Sequence, residues 1–459
     1  MDIPGNPRVL SEIPCELRSR LAEHGQEHVF RFWDELDDVA QCKFISQLET
    51  INLEQLTALA GLSCHEQKGK LAPAPVVQLD QSCKDSGEEA IRSGALGVLT
   101  VAGGQGTRLG WSGPKGTFPA APITGKSLFQ LVAEQIMFSQ KKYKTTIPWY
   151  IMTSHENEEA TISFLLDNNC FGIDRTDIFV FSQGEVPAVD SQGKMLLSSK
   201  GSVAMNPDGH GGVISALKIS GGLEEMESRG VRYLSYIQID NPLVHVVDPV
   251  FLGMHIGEHS SNEVSSKCVA KLDANERVGV FCLLQDTLTV VEYSDLPSGD
   301  ATKVDDQDRL LFSAGSIAIH IISVDFINRV VNELPWHRAH KKVPFILGET
   351  GKQIQPDEPN AFKYERFVFD ILPMAQHSLV VETDRSEEFA PIKNATGNDS
   401  PESSSALQLE RAARWLRMNG FEIPKHARVE ISPLTASAPE DLVGIDLPKE
   451  VGDDEAMVV

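Results

Sequence analysis

Between Arg8 and Leu62 apolar residues recur mostly three and four apart: Leu17, Leu21, Val29, Phe30, Trp33, Leu36 and Val39, then Phe44, Leu48 and Ile51, then Leu56, Leu59 and Leu62. That spacing gathers them on one side of a helix and predicts a small helical cap. From about 65 to 90 the chain turns polar and carries Pro73 and Pro75, which reads as a connection. At Gly94 the period changes. Leu96 to Val101 is a short apolar run ending at glycines, and Ser127 is placed to cap an amphipathic helix reaching Gln140. Strand-like runs at 149–153, 178–181 and 233–239 then alternate with helix-like stretches at 156–168 and 212–229. Such alternation predicts parallel strands joined by crossover helices, an open doubly wound α/β sheet whose ligands sit beyond the carboxyl ends of its strands.

Further along, residues 260–330 are richer in β-branched strands, and Phe326 to Leu334 and Phe367 to Gln376 read as helical. Asn398 to Ser405 reads as a polar linker, Ala406 to Arg417 as a helix and Arg428 to Ile431 as a strand, together a small C-terminal β-containing domain. The last twenty residues hold seven acids against one lysine without periodicity, which predicts a disordered tail. The expected division is a helical cap and linker over 1–90, a main domain over 91–396, a small C-terminal domain over 397–439 and a tail over 440–459. No internal repeat is visible.

Composition narrows the function classes. The chain has 459 residues, 41% of them hydrophobic, the profile of a globular protein of two or three domains. Lys and Arg total 41 against 65 Asp and Glu, a net charge of −24. An acidic chain without a basic stripe or interleaved aromatics is not expected to bind nucleic acid or an anionic membrane. Seven scattered cysteines, none in a C-x-x-C pair, indicate neither a disulfide framework nor a zinc site. With no basic-then-apolar leader and no run long enough to span a bilayer, a reducing cytoplasm is the expected compartment.

The most informative segment follows the first strand: Ala102-Gly103-Gly104-Gln105-Gly106-Thr107-Arg108-Leu109-Gly110, closed by Pro114-Lys115-Gly116. Glycines there let backbone N–H groups approach a phosphate, and Arg108 and Lys115 add charged contacts. Two better-known phosphate loops are excluded. The dinucleotide G-x-G-x-x-G fails because Leu109 occupies its third glycine position, and Gly125-Lys126-Ser127 fails as a P-loop because Ala120 replaces the first glycine.

Gly-Gly-x-Gly-Thr-Arg-Leu-Gly followed by Pro-Lys-Gly resembles the nucleotide loop of sugar-1-phosphate uridylyltransferases. The blocks beginning at Pro148, Met205, Val291, Arg309 and Phe367 resemble successive blocks of eukaryotic-type UDP-N-acetylhexosamine pyrophosphorylases. The resemblance spans roughly residues 90–396. It implies a Rossmann-like nucleotide-diphospho-sugar transferase (GT-A-like) mixed sheet, with 91–396 as the nucleotidyltransferase domain. The implied reaction is attack of a sugar 1-phosphate on the α-phosphorus of UTP, giving UDP-sugar and pyrophosphate with Mg²⁺. Positioning and charge neutralisation supply such catalysis, with no protein nucleophile or general base.

The resemblance also implies roles residue by residue. Ala102, Gly103 and Gly104 hold nucleotide and phosphate, while Arg108 and Lys115 face the triphosphate. Gln183 and the backbone at Gly209 meet uracil, an amide being able to pair with a carbonyl and an N–H together. Asp240, after an apolar strand, is the magnesium aspartate. Lys363 and Lys393 match lysines that contact UTP and the sugar phosphate. Glu292 and Tyr293 match the pair that contacts sugar hydroxyls, and Phe367 and Phe369 match aromatics lining the sugar pocket, with core packing as the alternative for both.

Two positions depart from the N-acetylhexosamine pattern. His210 stands where those enzymes carry Asn, as in the Gly-His-Gly of UDP-glucose pyrophosphorylases, and Ser316 also stands where they carry Asn. Removing an amide that bonds a hydroxyl or acetamido group changes discrimination by orders of magnitude. N-acetylglucosamine 1-phosphate is the expected substrate, with glucose or galactose 1-phosphate as the alternative. A non-catalytic regulator that retains the nucleotide pocket is the reading from another class.

Overall fold

The computed structural model describes residues 12–62, 69–445, 452 and 455–459. It divides into two compact units. The smaller is assembled from three separate stretches, 1–68, 184–212 and 334–368; the larger takes 69–183, 213–333 and 369–459.

The expected cap is helical. Helices α1 (Cys15–Glu23), α2 (Asp38–Thr50) and α3 (Leu53–Ala60) are joined by a 3₁₀ segment, Glu27–Glu35. Asp37 caps α2 by accepting from the Ala40 N–H at 2.8 Å, and Asn52 caps α3 through Gln55 at 2.9 Å. Their apolar faces meet in a core with Val186, Val189, Ile346 and Tyr364, so the cap is no free-standing domain. Short antiparallel pairs complete this unit, Glu185–Pro187 with Met205–Pro207 and His337–Lys341 with Ala361–Glu365. Val189 and Phe362 exchange backbone hydrogen bonds of 3.2 and 2.7 Å, tying two of its three stretches together.

The larger unit is built on a mixed sheet. Its main strands are β1 (Leu96–Val101), β2 (Trp149–Thr153), β3 (Ile178–Ser182), β4 (Tyr233–Gln238), β5 (Val264–Ala270), β6 (Ala314–Ser323) and β7 (Leu379–Glu382). They lie in the order β7-β5-β6-β4-β1-β2-β3. Strands β4, β1, β2 and β3 are mutually parallel, whereas β6 runs antiparallel to both β4 and β5. β2 is buried along its whole length, the mark of a strand covered on both faces. Helix α4 (Lys84–Arg92) precedes β1, and α5 (Leu128–Tyr143) and α6 (Glu158–Asp167) provide the next two crossovers. Ser127 caps α5 as expected, accepting from the Gln130 N–H at 3.1 Å.

The strand order reverses at β1: the chain steps outward through β2 and β3, then returns to place β4 on the other side of β1. With right-handed crossovers that reversal puts helices on opposite faces and opens a crevice where β1 and β4 end. The doubly wound expectation therefore holds, with antiparallel β6 making the sheet mixed.

Several boundaries differ from expectation. Residues 71–78, expected as linker, hold two sheet-edge strands: Leu71–Pro73 pairs with the strand Val280–Leu284, and Val77–Gln78 runs beside β7. The single helix expected over 212–229 is two, Gly212–Ile219 and Gly222–Arg229, parted at Gly221 with φ +79°. Pro401 to Ser405, expected as linker, is the first turn of helix α7 (Pro401–Met418), capped by Ser400 with Pro401 as its first residue. The expected tail is partly ordered. Ala456–Val458 pairs in parallel with Arg428–Glu430, because alternate apolar Met457 and Val459 pack on the small cluster around Trp415 and Val429. The acids at 446, 450, 453 and 454 lie outside the described residues.

Candidate functional site

Parallel neighbours end together, so β1 to β4 deliver Ala102, Ser154, Gln183 and Asp240 to one edge of the sheet. Ala102 N–H donates to the Met152 carbonyl at 2.8 Å, and Gln183 N–H to the Thr153 carbonyl at 2.8 Å. Gly103 is pinned between these strand ends. Asn157 Nδ2 donates to its carbonyl at 2.8 Å, and a Cβ there would stand 3.3 Å from both Gln183 Oε1 and the Ser154 nitrogen. The Gln183 side chain thus lies against Gly103.

Beyond Gly103 the loop folds on itself. Gly106 N–H donates to the Gly113 carbonyl and Lys115 N–H to the Gly104 carbonyl, each at 3.0 Å. Trp111 Nε1 donates to Thr117 Oγ1 at 2.9 Å, closing the far end. Gly104 faces open space, with nothing within 4 Å of where a Cβ would point.

This hairpin aims Lys115 at Asp240, Nζ to Oδ2 3.1 Å, with both side chains about 15% exposed (15 and 14%). Burial opposes ionisation of Asp240, but the charges of Lys115 and Lys393 outweigh it and hold the carboxyl below its ordinary range. Lys393 sits on a tight loop: its N–H donates to the Asp399 carbonyl at 2.6 Å, and the Ile392 N–H donates to the Asp240 carbonyl at 2.8 Å. Burial and the charge of Asp295 raise Glu292, while Lys393 pulls it down. Lys115, Asp240, Lys393 and Glu292 therefore form one electrostatic group within the larger unit.

The smaller unit holds Gly209, His210, Lys363 and Phe367. Gly209 has φ +84°, and a Cβ on it would stand 2.4 Å from the Arg366 carbonyl oxygen, so only glycine lets the two loops touch. His210 Nδ1 accepts from the Val368 N–H at 3.1 Å, which puts the ring proton of the neutral imidazole on Nε2. The Phe367 ring lies against His210, centroids 5.4 Å apart, and against His337 at 4.7 Å. Beneath them, buried Asp208 is ion-paired with Arg366, whose guanidinium also lies 4.3 Å from the Trp336 ring centroid. Burial raises the Asp208 carboxyl above its ordinary range, against the pull of Arg366.

Arg108 is exposed and has no hydrogen bond or ion pair among the described residues. Tyr293 is 48% exposed, whereas Phe369 is buried. Ser316 lies in β6, its N–H bonded to the Gly279 carbonyl at 2.8 Å, and Lys363 sits opposite Ala339 in its strand pair. Sequence reasoning missed Asp208, Arg366 and Asp399. A signal existed for the first: a Cβ on Gly212 would fall 1.9 Å from Asp208 Oδ1, so the glycines after Asp208 serve its burial.

Asp240 offers a single carboxylate, a donor set that suits Mg²⁺ taking its other ligands from phosphates and water. Among the described residues the one group of three potential metal ligands is His245, Asp248 and Glu388, and there Lys267 already bridges the two carboxylates.

Comparison with known proteins converges on one family. A family model described as UTP–glucose-1-phosphate uridylyltransferase matches residues 59–429. The chain is 37% identical to UDP-N-acetylglucosamine diphosphorylase 2 of Arabidopsis thaliana, over 94% of this chain and 91% of that one. It is 34% identical to the UDP-N-acetylglucosamine pyrophosphorylase of Saccharomyces cerevisiae, over 92 and 94%. The fold is shared with the uridine diphosphate N-acetylglucosamine pyrophosphorylase of Trypanosoma brucei, crystallised with an inhibitor, at a TM-score of 0.80, 24% identity and coverage of 94 and 95%. Among the described residues, no helix is long and apolar enough to cross a membrane. The matched region carries the glycine hairpin, Asp240 and Lys393, and the chain belongs to the UTP–glucose-1-phosphate uridylyltransferase family.

Proposed function

We propose that this protein joins UTP and N-acetylglucosamine 1-phosphate to give UDP-N-acetylglucosamine and pyrophosphate. The observation that carries the reading is the meeting of Lys115, Asp240 and Lys393 beside the glycine hairpin, at the reversal point of the sheet. In the reaction a phosphate oxygen of the sugar 1-phosphate bonds to the α-phosphorus of UTP. The bond from that phosphorus to its bridging oxygen breaks, and pyrophosphate leaves with the electron pair. No proton need move at a protein atom, which agrees with a site of fixed charges and backbone N–H groups.

In this reading the Gly103 and Gly104 backbone, Arg108 and Lys115 bind the triphosphate, and Lys393 orients the incoming phosphate. Gln183, Gly209 and Lys363 bind the nucleotide, while His210, Glu292, Tyr293, Ser316, Phe367 and Phe369 serve the sugar. Asp240 would hold Mg²⁺, whose chemistry is to neutralise charge on the phosphates. Among the described residues Arg108 has no competing partner to leave before it meets an anion, whereas Lys115 must turn from Asp240 or be shared between carboxylate and phosphate.

N-acetylglucosamine is the sugar named for the relatives at 37 and 34% identity. Glucose 1-phosphate is the second reading, favoured by His210 and Ser316, which break the N-acetylhexosamine pattern. Pyrophosphate release from UTP, measured with each sugar phosphate in turn, separates them. The expected result is a strong preference for N-acetylglucosamine 1-phosphate; a preference for glucose 1-phosphate would exchange the two readings. Release with none of the sugars would favour a nucleotide-sugar-binding regulator.

A further inference from the structure

Asp240 and Lys393 come from distant parts of the chain, and between them lies Asn241, which is 5% exposed. Its side chain binds the backbone of the segment leading to Lys393. Nδ2 donates to the Glu388 carbonyl at 2.6 Å, and Oδ1 accepts from the Ala390 N–H at 3.0 Å and from the Leu243 N–H at 3.3 Å. One residue earlier, the Asp240 carbonyl accepts from Ile392 at 2.8 Å. On the other side Ser404 Oγ donates to the Ala390 carbonyl at 2.7 Å. Alternate residues of 388–392 are thus fastened, and the end of the segment is fixed by Lys393 N–H on the Asp399 carbonyl at 2.6 Å.

The start of the segment is held as firmly. The Glu388 carboxylate is ion-paired with Lys267, which is fully buried on β5 and binds Asp248 at 2.5 Å as well. Asp248 in turn caps the helix Pro249–Ile256, accepting from Val250 and Phe251 at 2.9 and 3.1 Å. Lys267 thus ties Glu388, at the start of the segment running to Lys393, to Asp248 and the helix it caps.

We infer that Asn241 is a positioning residue for the transfer reaction, its carboxamide holding the Lys393 segment in register with Asp240. The inference rests on the uridylyltransferase reading above. An asparagine suits the task because one planar group supplies a donor and an acceptor to two peptide groups of a single segment. Loss of the carboxamide frees residues 388–390, just ahead of the Ile392 and Lys393 contacts with Asp240 and Asp399, and a displacement of ~1 Å in a charged contact is enough to cost orders of magnitude in rate.

The test is steady-state kinetics on the full chain, with wild type, Asn241→Ala, Lys393→Ala and the double variant, each followed by thermal melting. Asn241→Ala is expected to raise KM for the sugar 1-phosphate about tenfold while KM for UTP stays within about twofold. The double variant is expected to be no worse than Lys393→Ala by more than about threefold, since Asn241 acts through Lys393. Unchanged kinetics, equal shifts in both KM values, or losses that multiply in the double variant would overturn the inference while leaving the reaction intact. A wild type without UTP-dependent pyrophosphate release, or Lys393→Ala as active as wild type, would instead remove the reading and the inference with it. If Asn241→Ala does not fold, Ser404→Ala carries the test, with the same KM split at about threefold expected and its absence decisive against.

Discussion

Two groups of residues assigned to substrate are held in place by different means. In the larger unit, Asp240 past the end of β4 meets Lys115 of the hairpin and Lys393 of a tight loop, opposite charges set against one another with side chains still reachable from solvent. In the smaller, His210 and Phe367 are set by backbone contact between the glycine-bearing loop at 209–212 and residues 366–368, over an acid that is sealed from water. The first arrangement keeps charge available for exchange with an incoming anion. The second spends its charge on architecture, the Asp208–Arg366 pair serving the loop and leaving aromatic surface above it. The two groups are thus built in different ways: one from charges at the solvent, the other from a sealed ion pair and close backbone contact.

The largest expected effect tests the sealed acid. Arg366→Ala leaves Asp208 buried without its partner and is expected to destabilise the protein by about 3–5 kcal/mol, read as a fall in melting temperature. A loss under about 1 kcal/mol would mean that Asp208 is free to reach water. Next, Lys115→Ala is expected to lower turnover at least about tenfold, with a smaller melting shift than Arg366→Ala, because it removes a charge-assisted phosphate contact. The reverse pattern, stability lost and turnover kept, would erase the distinction between the two groups.

A glycine pair sharpens the comparison further. Gly209→Ala meets the Arg366 carbonyl and a positive φ, and should cost about 1–3 kcal/mol, while Gly104→Ala points into open space and should stay within about 0.5 kcal/mol. Equal melting temperatures for the two variants would contradict the close loop contact.

The smallest effect is one of sign. The folded carboxyl of Asp240 lies below the unfolded one, so its stabilisation is present above the unfolded pKa and lost as pH falls through the folded value. Asp208 is raised, so its charge costs stability above the folded pKa, and that cost is relieved as pH falls through it. Asp240→Asn should therefore flatten the acid limb of stability against pH and Asp208→Asn steepen it. Urea titrations between neutral pH and about pH 3 measure the two slopes, each worth about 1.4 kcal/mol per unit of pKa difference.

How much of this was legible in the sequence depends on distance along the chain. The alternation of apolar runs and glycines gave the doubly wound sheet, since each crossover is a local event of a few dozen residues. Resemblance marked Lys115, Asp240 and Lys393, and the fold brings those three together. The partition into two units escaped, because α1 to α3 find their core partners at Val186 and Tyr364, which no periodic pattern links to them. Asn241 escaped for a related reason: its significance is two peptide groups about 150 residues away. Ser400-Pro401 was readable as a helix start and was obscured by the polar residues around it, and the Ala456–Val458 strand by the acids that precede it.

The discontinuous make-up of the smaller unit has a consequence for biosynthesis. Residues of α1 to α3 leave the ribosome early, but Ile346 and Tyr364, which complete their core, follow some 300 residues later. At roughly 5–20 residues per second that is a wait of about 15–60 s. During it Leu21, Phe44 and Leu48, all buried at the end, lack their final neighbours. Nascent chains of this protein should accordingly engage holding chaperones through their first sixty residues and be released only after residue 368 emerges, so that heat or slow translation harms its yield more than its finished stability suggests.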